Sequence, residues 1–172
     1  MELKLKSISK AGIAEAISKA ELYRFLNEPG ETESICRDIL SVDPDHQLAQ
    51  RILGLAITDR FTGGGADRHG EAETIFASLR DPYERLYYMG IVHERRAKAL
   101  LRAGAPPHTV VVLFEEAMGC FERAEKIRPE GNDDAILRWN SCVRALQAAA
   151  GAAGHEGEPH VDWESDFVPH ER

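Results

Sequence analysis

Seven histidines and three cysteines are the side chains of this 172-residue chain from which a metal site or a nucleophile could be built. Cys36, Cys120 and Cys142 lie far apart within helical patterns, whereas a zinc site or a disulfide framework needs paired or clustered cysteines. His93 is the single histidine inside a predicted helix and has no second histidine at a ligand spacing. We therefore expect no metal site and no cofactor, and interpret the cysteines as small, reduced core residues.

A glycine-rich stretch at 61–70 also invites a chemical interpretation, because glycine-rich loops can surround phosphate groups. No Gly-Lys-Ser/Thr follows it and no strand pattern precedes it, so a long flexible turn is the better prediction. No Ser-His-Asp, Cys-His or paired-carboxylate motif is recognisable in the chain. The sequence therefore predicts that the protein has no catalytic residues and is not an enzyme.

The net charge of −8 is unevenly distributed, because residues 151–172 hold six acidic side chains and one arginine. An acidic chain is a poor general binder of nucleic acid, since neutralising phosphates needs lysine and arginine. No apolar run approaches the length of a membrane span, and no signal-like segment follows Met1. The sequence predicts a cytoplasmic protein that binds neither nucleic acid nor membrane.

Apolar residues recur at steps of three and four along most of the chain, which predicts helices. The predicted helices cover about 9–26, 31–42, a segment after Pro44, a segment around 72–79, 83–102, 110–128 and 133–149. The last of them has no following partner and is expected to close the array. Its predicted inward face consists of Ile136, Trp139, Val143 and Leu146.

Small and aromatic residues occur at fixed steps in the sixth helix, where Ala117, Phe121 and Ala124 share one face and Pro129 follows. Alanine permits close approach of a second helix, phenylalanine fills the space between helices, and proline prevents the helix from continuing. These steps resemble the second half of a tetratricopeptide repeat. The pattern Ala72-x3-Phe76 repeats the first step in the fourth helix.

The spacing between the small residues of the other helices agrees with this resemblance. Ala20 precedes Gly54 by 34 residues, and Tyr23 precedes Ile57 by the same number. That is the repeat length of the family, and Gly90 follows Gly54 after 36 residues. The chain thus resembles a small, bacterial-type tetratricopeptide-repeat scaffold.

The resemblance implies an all-α fold in which helical hairpins stack with a right-handed twist. Three helix pairs and a capping helix give about seven helices within residues 11–150. Residues 1–10 would form an N-terminal lead, and residues 151–172 an acidic linker and tail. The sequence leaves open whether this tail is disordered or docks on the stack.

In that family the first helix of each pair lines a concave groove, which implies a non-enzymatic adaptor that binds a peptide segment of another protein. The residue after each small position, with its neighbours four before and four after, would face the groove. The first unit contributes Ile17, Glu21 and Phe25. The groove residues expected in the later units are Arg51, Leu55, Asp59, Tyr87, Ile91, Arg95, Ile136, Asn140 and Arg144.

Two functions stay open at this point. The groove could bind a partner protein, for which an acidic peptide and the chain's own tail are both candidates. Alternatively, the stack could be a structural subunit that associates with copies of itself. The sequence does not distinguish a monomer from a homodimer.

Overall fold

The computed structural model describes residues 3–155, and within them the chain forms a short 3₁₀ turn, seven α-helices and no strand. The predicted all-α class is confirmed. Of the predicted linker and tail at 151–172, residues 156–172 lie outside the described residues. After the 3₁₀ turn Lys10–Gly12, the helices are α1 (Ile13–Phe25), α2 (Pro29–Val42), α3 (Gln47–Asp59), α4 (His69–Ala77), α5 (Pro82–Arg102), α6 (Pro107–Glu125) and α7 (Asp134–His155).

Proline and short polar side chains set the beginnings of several helices. Pro29, Pro82 and Pro107 each stand in the first turn, where a missing N–H costs nothing. The Asp81 side chain accepts a hydrogen bond of 2.8 Å from the Tyr83 N–H, which caps α5. His46 caps α3 in the same way through Nδ1, which accepts from the Ala49 N–H at 3.2 Å.

Close packing of glycine against phenylalanine joins the helices of the second and third pairs. A Cβ atom added at Gly54 would lie 2.5 Å from the Phe76 ring, and one added at Gly90 would lie 2.5 Å from the Phe121 ring. Both rings are fully buried. The small residue on one helix and the aromatic residue on the next therefore form matched contacts.

Each helix packs against the next one along the chain, and α1 also contacts α3 while α3 contacts α5. Two hydrophobic clusters result. The first lies mainly among α1–α4 and the second among α5–α7. Helix α5 contributes to both, and Tyr88 lies at the boundary, stacked on Phe76 with ring centroids 5.0 Å apart.

The glycine-rich segment is a hydrogen-bonded turn that packs against α5. Asp67 accepts bonds from the N–H groups of Thr62 at 2.9 Å and Gly63 at 2.7 Å. Partial burial opposes ionisation of Asp67, but these backbone bonds outweigh it and lower its pKa. Gly63 adopts φ +84°, and a Cβ there would lie 2.7 Å from the Ala99 carbonyl oxygen. Only glycine meets both conditions.

Helix α7 differs from its prediction in length and in orientation. It continues to His155, beyond both the predicted helix end at 149 and the predicted domain boundary at 150. Ala135 and Cys142 are fully buried, while Trp139, predicted to face inward, is 38% exposed. The core-facing side of α7 is therefore rotated from the predicted one.

Candidate functional site

A cleft of about 780 Å³ opens between α1, α3 and α5. We call it the α1–α3–α5 cleft. Helices α1, α3 and α5 line it, because the intervening helices α2 and α4 pack behind them. Its lining residues are Glu21, Arg24, Phe25, Asn27, Leu48, Arg51, Ile52, Leu55, Asp59 and Tyr88.

The rim of the cleft at the end of α1 is apolar and open. Phe25 is 88% exposed. Leu22 on the same helix and Leu26, which directly follows α1, are also exposed. Leu48 and Leu55 on α3 are partly buried against the core. The cleft therefore combines a partly buried apolar wall with an exposed aromatic side chain.

An arginine–aspartate–arginine group supplies two polar residues of the cleft lining, Arg24 and Asp59, with Arg95 behind them. Arg24 donates to both oxygens of Asp59, through Nε at 2.7 Å and through Nη2 at 3.3 Å. Arg95 on α5 also donates to Asp59, and to the Thr58 hydroxyl at 2.5 Å and the Leu55 carbonyl at 3.2 Å. Burial lowers the pKa of Arg95, although Asp59 opposes this. Two arginines share this carboxylate, but Glu21 also lines the cleft, so its lining as a whole has no excess of positive charge.

A second ion pair crosses the cleft from α3 to α5. Arg51 Nη1 donates to Glu84 Oε1 at 2.6 Å, and both side chains stay partly exposed. Arg51 lines the cleft, and its remaining guanidinium N–H groups make no hydrogen bond within residues 3–155. Exposed pairs of this kind contribute little to stability, so they can rearrange at small cost.

Five of the residues predicted to face a groove are brought together here. Arg51, Leu55 and Asp59 line the cleft with Glu21 and Phe25 of the first unit. The spacing rule therefore finds part of the lining of α1 and α3. Ile17 is an exception, since it is buried in the first hydrophobic cluster.

The α5 residues predicted to face the groove do not line the α1–α3–α5 cleft, to which α5 contributes Tyr88. Ile91 was expected in the groove, but it is 1% exposed and belongs to the second hydrophobic cluster. Arg95 was expected to be accessible, but its guanidinium is used in the contacts with α3. Tyr87 lines a different cleft of about 220 Å³, together with Tyr83 and Glu84.

The predicted α7 residues Ile136, Asn140 and Arg144 do not line the α1–α3–α5 cleft. The cleft lies among α1, α3 and α5, whereas α7 packs mainly on α6. Glu94 is fully buried and accepts from Lys98 at 2.5 Å, while Arg138 and Ser141 of α7 approach it at 3.5 and 3.4 Å. The side of α7 that carries Arg138 and Ser141 is therefore turned towards Glu94, and this is not the side predicted to face the groove.

Sequence reasoning missed several lining residues, among them Arg24 and Tyr88. A signal for Arg24 exists in the spacing of opposite charges. Arg24 and Asp59 are 35 residues apart, and Arg51 and Glu84 are 33 apart. Ion pairs at about one repeat length join equivalent positions of successive helix pairs, and a search for such pairs would find Arg24.

The cysteines and His93 form no recognisable reactive centre. Burial raises the pKa of Cys36 and of Cys142 to about 12, so both stay thiols at ordinary pH. His93 Nδ1 lies 3.4 Å from Glu116 Oε2 but makes no hydrogen bond with suitable geometry. Among residues 3–155, no three His, Cys, Asp or Glu side chains are arranged to hold a metal ion.

Comparisons with protein-family models, with curated proteins and with solved structures find no match for this chain. None of the seven helices within the described residues has the length and apolar character needed to cross a membrane.

Proposed function

We propose that the protein is a non-enzymatic adaptor with a right-handed, tetratricopeptide-like stack, and that it binds an extended segment of another protein in the α1–α3–α5 cleft. One observation carries this proposal. Residues one repeat apart on alternate helices converge on a cleft of about 780 Å³ that is both apolar and charged. A surface of this kind suits a peptide better than a compact metabolite, because metabolite sites are usually deeper and more enclosed.

The chemistry of the cleft indicates how a segment would be held. Apolar side chains of the segment would pack on Phe25, Leu48 and Leu55, which supply the contact area. Arg24 and Arg51 would donate hydrogen bonds to main-chain carbonyls or to a carboxylate of the segment. An aromatic residue at the rim is a typical binding hot spot.

Binding without catalysis is consistent with the thiols, whose raised pKa values disfavour the nucleophilic thiolate. Free buried cysteines also suit a reducing compartment, so we expect the adaptor to act in the cytoplasm.

Self-association is the second candidate, and one observation favours it. Phe25, Leu22 and Leu26 form an exposed apolar end of α1, which a second copy of the chain could cover. Light scattering on a size-exclusion column decides this point. A dimer that dissociates in Phe25→Glu would support self-association, whereas a wild-type monomer at all concentrations would exclude it.

The adaptor proposal is tested by site-specific photo-cross-linking in cells of the source organism. A photoreactive phenylalanine analogue replaces Phe25 in the cleft or, as a matched control, Val112 on the exposed side of α6. We expect a discrete cross-linked partner from position 25 and none of that size from position 112. Identical products from both positions would contradict the proposed site.

A further inference from the structure

Three arginines surround one buried glutamate at a place that shares no residue with the α1–α3–α5 cleft. Glu33 on α2 accepts from Arg37 at 2.7 Å, from Arg60 at 3.3 Å and from Arg68 at 2.5 Å. Arg37 and Arg68 also donate to Glu71 on α4, at 2.7 and 3.2 Å. We call these five residues the Glu33 cluster. It draws side chains from α2, α4 and the loop between α3 and α4.

The Glu33 cluster carries an excess of positive charge and of hydrogen-bond donors. Three guanidinium groups face two carboxylates, which leaves one positive charge in a chain whose net charge is −8. Within the described residues, Arg60 uses only Nη1, so its Nε and Nη2 have no acceptor. Glu33 and Glu71 thus hold the arginines in place without using all of their donors.

An open cleft of about 370 Å³ lies beside the cluster, lined by Glu33 and its three arginines together with Gly30 and Ser34. A Cβ added at Gly30 would meet no atom within 4 Å, so the space above this turn of α2 is free. The Ser34 hydroxyl is exposed and makes no hydrogen bond within residues 3–155. A small tetrahedral anion therefore has both room and donors here.

We propose that the Glu33 cluster binds the phosphate group of a phosphorylated side chain on a partner protein. Guanidinium groups match phosphate oxygens in geometry and charge, and arginine clusters are a common means of phosphopeptide recognition. The cleft is open to solvent, so the chain that carries the phosphate can continue outward. This surface is separate from the α1–α3–α5 cleft. A result that contradicts binding at one of the two surfaces leaves the proposal for the other unchanged.

The test uses the ¹⁵N-labelled full chain and three probes at constant ionic strength. They are a five-residue phosphoserine peptide, the same peptide with serine, and inorganic phosphate. We expect the phosphopeptide to shift the amide signals of Gly30 and Ser34 to saturation. The serine peptide should leave them unchanged, and inorganic phosphate should bind more weakly than the phosphopeptide. Equal affinity for both phosphates would overturn the peptide assignment in favour of a free anion.

Three variants complete the experiment. Arg60→Gln should weaken phosphopeptide binding by about tenfold, because it removes a charged donor whose side chain is 54% exposed and has one weak contact. Glu71→Gln should strengthen binding several-fold, because it removes a negative charge from the cluster. Arg80→Gln, at a 70% exposed arginine outside the cluster, is the matched control and should change nothing. No saturable shift, or unchanged affinity in Arg60→Gln, would overturn the proposal.

Discussion

The contact between Gly90 and Phe121 gives a quantitative test of how the third helix pair packs. Phe121→Ala should lower the free energy of unfolding by about 3–5 kcal/mol, because the ring is fully buried. Gly90→Ala places a methyl group 2.5 Å from that ring and should cost about 1–3 kcal/mol through overpacking. In the Phe121→Ala background the ring is gone, so the same methyl group should instead stabilise by about 1 kcal/mol through helix propensity.

The two substitutions should therefore be coupled by about 2–4 kcal/mol, which urea denaturation followed by circular dichroism can resolve. Gly119→Ala on α6 is the matched control, since its Cβ would meet no atom within 4 Å. It should stabilise by about 1 kcal/mol whether or not Phe121 is present. An additive cycle for Gly90 and Phe121, within about 0.5 kcal/mol, would refute the glycine–phenylalanine contact as the basis of helix pairing.

Three further predictions concern the polar contacts. Glu94→Ala should destabilise the protein by about 2–4 kcal/mol in urea denaturation, because it leaves Lys98 and Arg138 without their buried partner. A loss below about 1 kcal/mol would contradict a role of Glu94 in holding α7 in place. Hydrogen bonds from Arg68, and then from Arg37, lower the pKa of Glu33 from 4.5 to about 2, so its contribution to stability is present above about pH 4.5 and is lost as pH falls towards 2. Unfolding measured between pH 6 and 2 should show a loss of about 1–3 kcal/mol that Glu33→Gln abolishes, and an unchanged pH profile in this variant would contradict the assignment. Gly63→Ala should lower the free energy of unfolding by about 1–3 kcal/mol, because the φ of Gly63 is +84° and the Ala99 carbonyl is close. Thermal unfolding identical to wild type would mean that the turn does not pack on α5.

The helices and their pairing could be predicted because they depend on local spacing. Ala117 and Phe121 lie on one face for any α-helix, and a glycine one helix earlier leaves room for the ring. Part of the lining of α1 and α3 follows from the same rule. Arg51, Leu55 and Asp59 are spaced four residues apart on α3, so helical periodicity alone places them on one side, where they line the cleft.

The rotation of α7 could not be predicted from its own sequence. Its apolar residues occupy more than one face, so Trp139 and Cys142 compete for the core. In the structure Cys142 is buried, and Arg138 and Ser141 on the same side of α7 contact the buried carboxylate of Glu94 on α5. A contact between residues 44 or more positions apart is invisible to local periodicity.

The accessibility of the arginines also depends on distant contacts. Arg95 occupies a groove position by spacing, yet Asp59, Thr58 and the Leu55 carbonyl use its donors. Arg24, outside the predicted set, lies in the cleft instead because it shares Asp59 with Arg95. Spacing predicts the direction of a side chain, but its availability to a ligand depends on which opposite charges the fold brings to it.

The most direct measurement of the central claim is the affinity of a selected peptide for the α1–α3–α5 cleft. A random-peptide display library is panned on the immobilised full chain, and fluorescence anisotropy then gives Kd for the selected peptide with wild type, Phe25→Glu and Val112→Glu. Both substituted residues are exposed, so neither change should affect folding. The adaptor proposal predicts saturable binding that weakens by about tenfold in Phe25→Glu and stays unchanged in Val112→Glu. Equal affinity for all three proteins, or the absence of any saturable peptide, would contradict it.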